Sequence, residues 1–335
     1  MSAAQNKIVQ PKIRVAVVGV GDFGRNHVRV YREMPEAELV GVVDANADRA
    51  AQVAAEFGTS SLPGMESLRG RVDAVSLAVP TVEHARMGDA LLRMGLDVLV
   101  EKPIAASLGD ADELIVAARE TGRILQVGHL ERFNPAVVAA EGILGRPLFF
   151  EVHRLGVFTP RSLDIDVVFD VMIHDLDILL ALVGEPVTDV KAVGIPVLTD
   201  KVDIAHARIE FASGAVANVT ASRVSTERVR KMRFFQDHEY ISLDYGRRDV
   251  LRVRVGKPGP TPEFAYEKLP TEAREPLASE LESFLQCVRT RQVPRVDGDA
   301  GRRALELANR VAASIFEHAQ RVQVGAFVSP QAISS

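Results

Sequence analysis

Along its first 128 residues the chain alternates short apolar runs with amphipathic stretches, the pattern of a parallel sheet with helices on both faces. IRVAVVGV (13–20) is a β-branched run suited to a strand buried on both sides. A helix is expected from Gly24 to Arg32, a second strand over AELVGVVD (37–44), and a helix over ADRAAQVAAEFG that Gly58 closes. The unit repeats in DAVSLAVP, VEHARMGDALLRMG and LDVLVEKP. The next helix begins at SLGD, with Ser107 as its cap, and ends near Gly122, before the strand ILQVG (124–128). Beyond Gly128 the period changes. FFEVHRLG, VKAVGIPVL, IAHARIEFASGAVANVTASRV and MRFFQDHEYISLDY alternate apolar and polar residues at longer range, with a hairpin turn at 212–214. Strands that follow one another without helices imply a mostly antiparallel sheet. Two helices, SELESFLQCVRT and DAGRRALELANRVAASIFEHAQ, end the pattern. The expectation is a doubly wound parallel α/β domain over 1–128, then an α+β domain with a large open sheet over 129–335.

Composition sets limits on this picture. Of 335 residues, 47% are hydrophobic and 25% charged, which is ample for two cores and argues against disorder. A formal net charge of −5 gives no electrostatic reason to expect nucleic acid or an anionic membrane as a partner. No window has the apolar length of a bilayer span, and the N-terminus lacks a signal-like core, so a cytoplasmic location is expected. Cys287 is the sole cysteine and sits at helical spacing among apolar residues, so it reads as a core residue; no metal site is expected.

Chemistry concentrates at a few points. Gly19-Val20-Gly21-Asp22-Phe23-Gly24 is a G-x-G-x-x-G turn between a buried strand and a helix, and Asp44 ends the next strand 20 residues beyond Gly24. Gly19 permits the tight turn, Gly21 lets backbone approach a pyrophosphate, Gly24 allows close helix–strand packing, and the helix start turns its free N–H groups to the phosphates. Asp44 can accept from both ribose hydroxyls and would repel a 2′-phosphate, which favours NAD over NADP; Arg49, turned inward, would weaken that preference. Lys102, after Glu101 and before Pro103, sits at the carboxyl end of a strand, where ligands of open α/β sheets lie. In DVMIH, a helical conformation places Asp170 and His174 on one face at i, i+4, and a carboxylate beside an imidazole suits a general base.

GVGDFGRNH, VVDAN, the VPTVEH stretch, EKP, DxxxH and the final GRRALELANRVAAS together resemble the Gfo/Idh/MocA family of sugar and cyclitol dehydrogenases. The resemblance implies a Rossmann domain and a second domain that serves oligomerisation, as a homodimer or homotetramer. It places Lys102, Asp170 and His174 at catalytic positions and Pro80, Thr81, His84 and Glu101 along the cofactor, leaving open whether Lys102 or His174 is the base. VGHLERFNPAVV (127–138) and HRLGVFTPRSLDIDVVFDVMIHDLD (153–177) are most similar to the branch acting on UDP-N-acetylglucosamine. That implies oxidation of the sugar 3-hydroxyl to a ketone, with an aminotransferase taking the product toward a lipid A-type glycolipid. Arg132, Arg154 and Arg161 then become candidates for the diphosphate and Asn134 for the N-acetyl or a hydroxyl group. Another sugar, an inositol or a UDP-uronic acid as substrate, and a non-catalytic NAD-binding role, remain alternatives. VRKMR (229–233) reads as a solvated strand face or a subunit contact.

Overall fold

The computed structural model describes residues 11–159, 165–256 and 263–322. Two compact units emerge, and the chain threads between them. The first gathers 1–101, 113–126 and 281–295; the second gathers 102–112, 127–280 and 296–335. Among the described residues no helix is long and apolar enough to cross a membrane.

In chain order the first sheet and its helices are β1 (Ile13–Val18), α1 (Asp22–Glu33), β2 (Ala37–Val43), α2 (Ala47–Phe57), β3 (Ser60–Ser61), β4 (Ala74–Leu77), α3 (His84–Arg93), β5 (Asp97–Glu101), α4 (Leu108–Thr121) and β6 (Leu125–Gly128). The six strands lie in the order β3-β2-β1-β4-β5-β6, and the β1–β2, β1–β4 and β4–β5 pairs run parallel. Val15, Val17, Val75, Leu77, Val98 and Leu99 are fully buried, as strands covered on both faces require. Helix ends follow the sequence signals. Gly58 closes α2 at φ +62°, and the Ser107 hydroxyl accepts from the Asp110 N–H at 3.1 Å at the start of α4. Helix α1 starts at Asp22, two residues before the expected Gly24, because the glycine turn is already helical there.

The second unit adds α5 (Pro135–Glu141), β7 (Phe149–Leu155), α6 (Ile173–Val183), β8 (Val187–Ile195), β9 (Ile204–Phe211), β10 (Val216–Ser222), β11 (Val229–Gln236), β12 (Glu239–Asp244), β13 (Asp249–Val255) and β14 (Phe264–Lys268). Its sheet has eight strands ordered β14-β13-β12-β11-β7-β10-β9-β8, antiparallel except for β7 with β10. Gly214, at φ +85°, turns the expected hairpin from β9 into β10. Strands β13 and β14 are short additions that the alternating pattern did not separate. Two more helices complete the chain: α7 (Pro276–Thr290) and α8 (Gly298–Val322), the latter packing on α6 and β8. The end of α7 belongs with the first unit for a definite reason. The buried Asp97 carboxylate accepts from the Arg291 guanidinium at 2.6 Å and 3.0 Å and from the Ile124 N–H at 2.8 Å.

One face of the eight-stranded sheet is apolar and covered, with Phe150, Val152, Ala207, Ile209, Val219 and Phe234 all buried. Into that face projects Arg154 of β7. Its guanidinium donates to Asp175 of α6 at 2.6 Å and 2.9 Å and to Glu131 at 2.9 Å, and it lies 4.8 Å from the Tyr245 ring centroid. Burial pushes the pKa of the arginine down, but the two carboxylates outweigh burial and hold it well above the ordinary value. Leucine at position 154 would strand both carboxylates in a dry interior. Arg154→Leu is therefore expected to destabilise the second unit by about 3–5 kcal/mol, read as a lower denaturant midpoint. An unchanged midpoint would contradict the assignment of Arg154 to this network.

Candidate functional site

In the first unit the glycine turn has the geometry of a nucleotide cradle. Gly19 sits at φ +85°, and a Cβ there would lie 2.4 Å from the Ala78 carbonyl oxygen. A Cβ on Gly24 would meet the Gly19 carbonyl oxygen at 1.9 Å, so helix and strand can approach this closely only at glycine. Gly21 differs: a Cβ there meets nothing within 4 Å. Protein packing does not demand glycine at 21, whereas close approach of a ligand to the backbone would. The exposed Asp22 and Phe23 follow at the start of α1, with Phe23 edge-on to His27 at 5.3 Å.

Asp44, at the end of β2, accepts from the N–H groups of Val20 and Asn46, both at 2.8 Å, and from the Arg49 guanidinium at 2.7 Å and 3.1 Å. Burial pushes this carboxyl up, yet the hydrogen bonds from Arg49, Val20 and Asn46 outweigh it and leave the pKa below the usual range. Arg49 does turn inward, so a ribose that reaches Asp44 must share or displace it. Of the other positions named for the cofactor, Pro80 and Thr81 sit at the exposed end of β4. His84 is 1% exposed and its Nε2 lies 2.9 Å from the Val79 carbonyl oxygen. It therefore shapes that loop from beneath and offers a ligand almost no surface, a correction to its expected lining role. Glu101 is likewise nearly buried, with its carboxylate 3.0 Å from Nε2 of His27. His27 carries no motif signal beyond its place in GRNH, and the sequence reading passed over it.

The second unit holds the proton chemistry. Lys102 Nζ donates to the Asp170 carbonyl oxygen at 2.6 Å and to its carboxylate at 3.2 Å. Asp170 lies in a π-helical turn (Val168–Met172) that runs into α6, where His174 follows. π-turns of this kind are frequent at functional sites. No hydrogen bond or ion pair joins Asp170 to His174 among the described residues; the Asp170 carboxylate is on Lys102. The expected carboxylate–imidazole pair is thus not formed; Asp170 instead anchors Lys102. The His174 ring stands nearly perpendicular to that of His129, with centroids 6.3 Å apart. Burial is the largest influence on His174, followed by the positive charges of Lys102 and Arg154, and together they hold its pKa well below the histidine range.

The expected phosphate readers fare differently. Arg154 is consumed by Asp175 and Glu131. Arg132 is largely buried and faces Asp177 at 3.5 Å. Asn134 caps α5 by accepting from the Ala136 N–H, while its amide donates to Glu131 and to the Tyr245 carbonyl. Every polar atom of Asn134 is thereby committed to the fold, so neither Arg154 nor Asn134 reads a ligand. Arg161 lies outside the described residues. Cys287 is buried, and burial raises its thiol pKa, in keeping with a core residue.

Residues 13–129 match the oxidoreductase family with an NAD-binding Rossmann fold, and residues 137–241 match the C-terminal domain of the same Gfo/Idh/MocA group. The chain belongs to the Gfo/Idh/MocA family of oxidoreductases. It is 39% identical to a UDP-N-acetylglucosamine 3-dehydrogenase of Acidithiobacillus ferrooxidans, over 92% of this chain and 99% of that one. It is 30% identical to the scyllo-inositol 2-dehydrogenase (NAD(+)) of Bacillus subtilis, over 86% of this chain and 90% of that one. The solved structure of the Acidithiobacillus enzyme superimposes with a TM-score of 0.86, covering 91% of this chain and 98% of that one at 38% identity. A levoglucosan dehydrogenase in complex with NADH and levoglucosan shares the fold, with a TM-score of 0.82 at 21% identity over 91% of this chain and 98% of that one. The family assignment gives NAD as the cofactor, while the Arg49 guanidinium on Asp44 weakens the carboxylate's discrimination against a 2′-phosphate.

The glycines separate folding from binding. Gly21→Ala should keep the wild-type melting temperature and lose most NADH binding, followed by nucleotide fluorescence; Gly24→Ala should lower the melting temperature. Full NADH affinity in Gly21→Ala would contradict the cradle.

Proposed function

We propose that the chain oxidises the 3-hydroxyl of UDP-N-acetylglucosamine to the 3-keto nucleotide sugar with NAD. The choice of sugar is supported by the likeness to the Acidithiobacillus dehydrogenase along 99% of that enzyme. The reading as a working dehydrogenase is carried by one observation: an imidazole kept neutral by burial and neighbouring cations, in the same unit as a lysine held on an aspartate.

Oxidation of a secondary alcohol removes a proton from oxygen and a hydride from carbon. NAD, when bound, supplies the hydride acceptor. The chain's residues must handle the oxygen and its proton. His174 is uncharged at neutral pH and is therefore ready to accept that proton. Lys102, oriented by Asp170, donates a hydrogen bond to the same oxygen and stabilises the negative charge that develops there. In this assignment His174 is the base and Asp170 positions Lys102. Asp44 receives the adenosine ribose once Arg49 yields.

The product ketone is a substrate for an aminotransferase, in a route to an amino-sugar glycolipid of the lipid A type, and the reaction is placed in the cytoplasm. A homodimer or homotetramer is part of the same proposal. The uncovered face of the eight-stranded sheet carries the neighbouring rings of Phe149, Phe235 and Tyr240, with centroids 5.8 Å and 5.3 Å apart, which suit cover by a second copy.

Purified protein incubated with NAD⁺, UDP-N-acetylglucosamine and a ketone trap should yield a sugar nucleotide lighter by two hydrogens in mass spectrometry. A Lys102→Ala/His174→Ala double variant should form none while still binding NADH. Light scattering on the same preparation should give a particle larger than the 36.4 kDa chain. Turnover of an inositol but not of the nucleotide sugar would overturn the substrate assignment. Near-normal turnover in the double variant would overturn the site.

A further inference from the structure

Arg230 of β11 stands directly opposite Arg154 of β7 in the antiparallel register. Both lie on the sheet face that carries the buried Met232 and Phe234, Arg230 two residues before Met232 at the rim. Like charges directly opposite one another destabilise a strand pair. The structure neutralises only one of them. Arg154 takes both nearby carboxylates, Asp175 and Glu131. Among the described residues, the side chain of Arg230 has no hydrogen bond or ion pair, and neither has that of Arg228 just before the strand. The main chain of Arg230 is fixed, its carbonyl accepting from the Tyr245 N–H at 3.0 Å. A held strand thus presents a guanidinium without a direct side-chain partner at the edge of the face that carries Arg154.

The charge count around this spot is positive. Lys102 pairs with Asp170 and Arg154 takes Asp175 and Glu131 directly; those two carboxylates also attract Arg230, which forms no direct ion pair with them, and Arg228 adds one further positive charge. The positive charge of Arg230 opposes protonation of His174, and burial, with Arg154 and Arg228, lowers the pKa of Arg230 against the opposing pull of Glu131 and Asp175. Holding two guanidiniums against each other has a folding cost, and an arriving anion would relieve it. A guanidinium fork matches phosphate oxygens in two parallel hydrogen bonds. The basic run VRKMR, read from sequence as a solvated strand face, divides on this geometry: Lys231 and Arg233 lie on the uncovered face with Asp244 and Glu151, whereas Arg230 faces the site.

We propose that Arg230, supported by Arg228, binds the diphosphate of the substrate, in the role that the sequence reading gave to Arg154. This inference rests on the nucleotide-sugar reading above, since a free sugar or an inositol brings no phosphate. Arg230 contacts the part of the substrate remote from the reacting carbon, so its removal should weaken binding more than the chemical step.

Calorimetric binding of UDP, without the sugar, tests this apart from turnover. Wild-type protein should bind UDP, Arg230→Ala should bind it at least tenfold more weakly, and Arg230→Lys should recover part of the loss. The KM for UDP-N-acetylglucosamine should rise by a similar factor in Arg230→Ala, with a larger effect on KM than on kcat and NADH binding unchanged. Equal UDP binding by wild type and Arg230→Ala would overturn the proposal while leaving the nucleotide-sugar function in place. No UDP binding by the wild type, with turnover of an unphosphorylated sugar or inositol, would overturn both.

Discussion

A guanidinium shut away from water is costly unless carboxylates meet it, and in the second unit Arg154 meets two. That contact organises what surrounds it. Asp175, which Arg154 grips in a two-point fork, is the residue after His174, so the start of α6 is fixed to the sheet beside the candidate base. Glu131 also receives Asn134, which caps α5 and reaches the Tyr245 carbonyl, so the two ion pairs of Arg154 and these hydrogen bonds tie β7, α5, α6 and the end of β12 together. Breaking such a network costs far more than building it contributes, because each group left behind is a buried charge.

The same network sets the electrostatics of the site. Its carboxylates are spent on Arg154, leaving none to stabilise a protonated His174, while Lys102, Arg154 and Arg230 all oppose that proton. An imidazole in this setting is a base by default. Lys102 keeps its own carboxylate, Asp170, which lies in the π-helical turn before His174. Two roles that the motif reading merged, an aspartate orienting a histidine, fall to different partners. The aspartate orients the lysine, and burial tunes the histidine.

Much of the first unit was legible in the sequence because its signals are local. A β-branched run, a glycine turn and an acidic residue at the next strand end lie within about thirty residues, and backbone sterics enforce Gly19 and Gly24 whatever the ligand. The change from helical to alternating period likewise announced the second sheet. What escaped was non-local. Nothing in the spacing of Glu131, Arg154 and Asp175 reveals that they converge, so Arg154 was taken as a phosphate reader. Asn134 was read as a ligand group when its position before Pro135 already marked a helix cap. The place of Arg230 beside this network appears only once the β7–β11 register pairs it with Arg154. The threading of α7 into the first unit depends on Arg291 reaching Asp97, residues 194 apart.

The central claim is that His174 stays neutral where an ordinary histidine would be half protonated. Nuclear magnetic resonance of imidazole-labelled protein, with the His174 signal assigned by its loss in His174→Asn, measures this directly. The account predicts a neutral ring throughout pH 6–8, with protonation only below the ordinary histidine value of about 6.5. A His174 that titrates at or above that value would contradict it, since the ring would then enter the reaction already carrying the proton it is meant to receive.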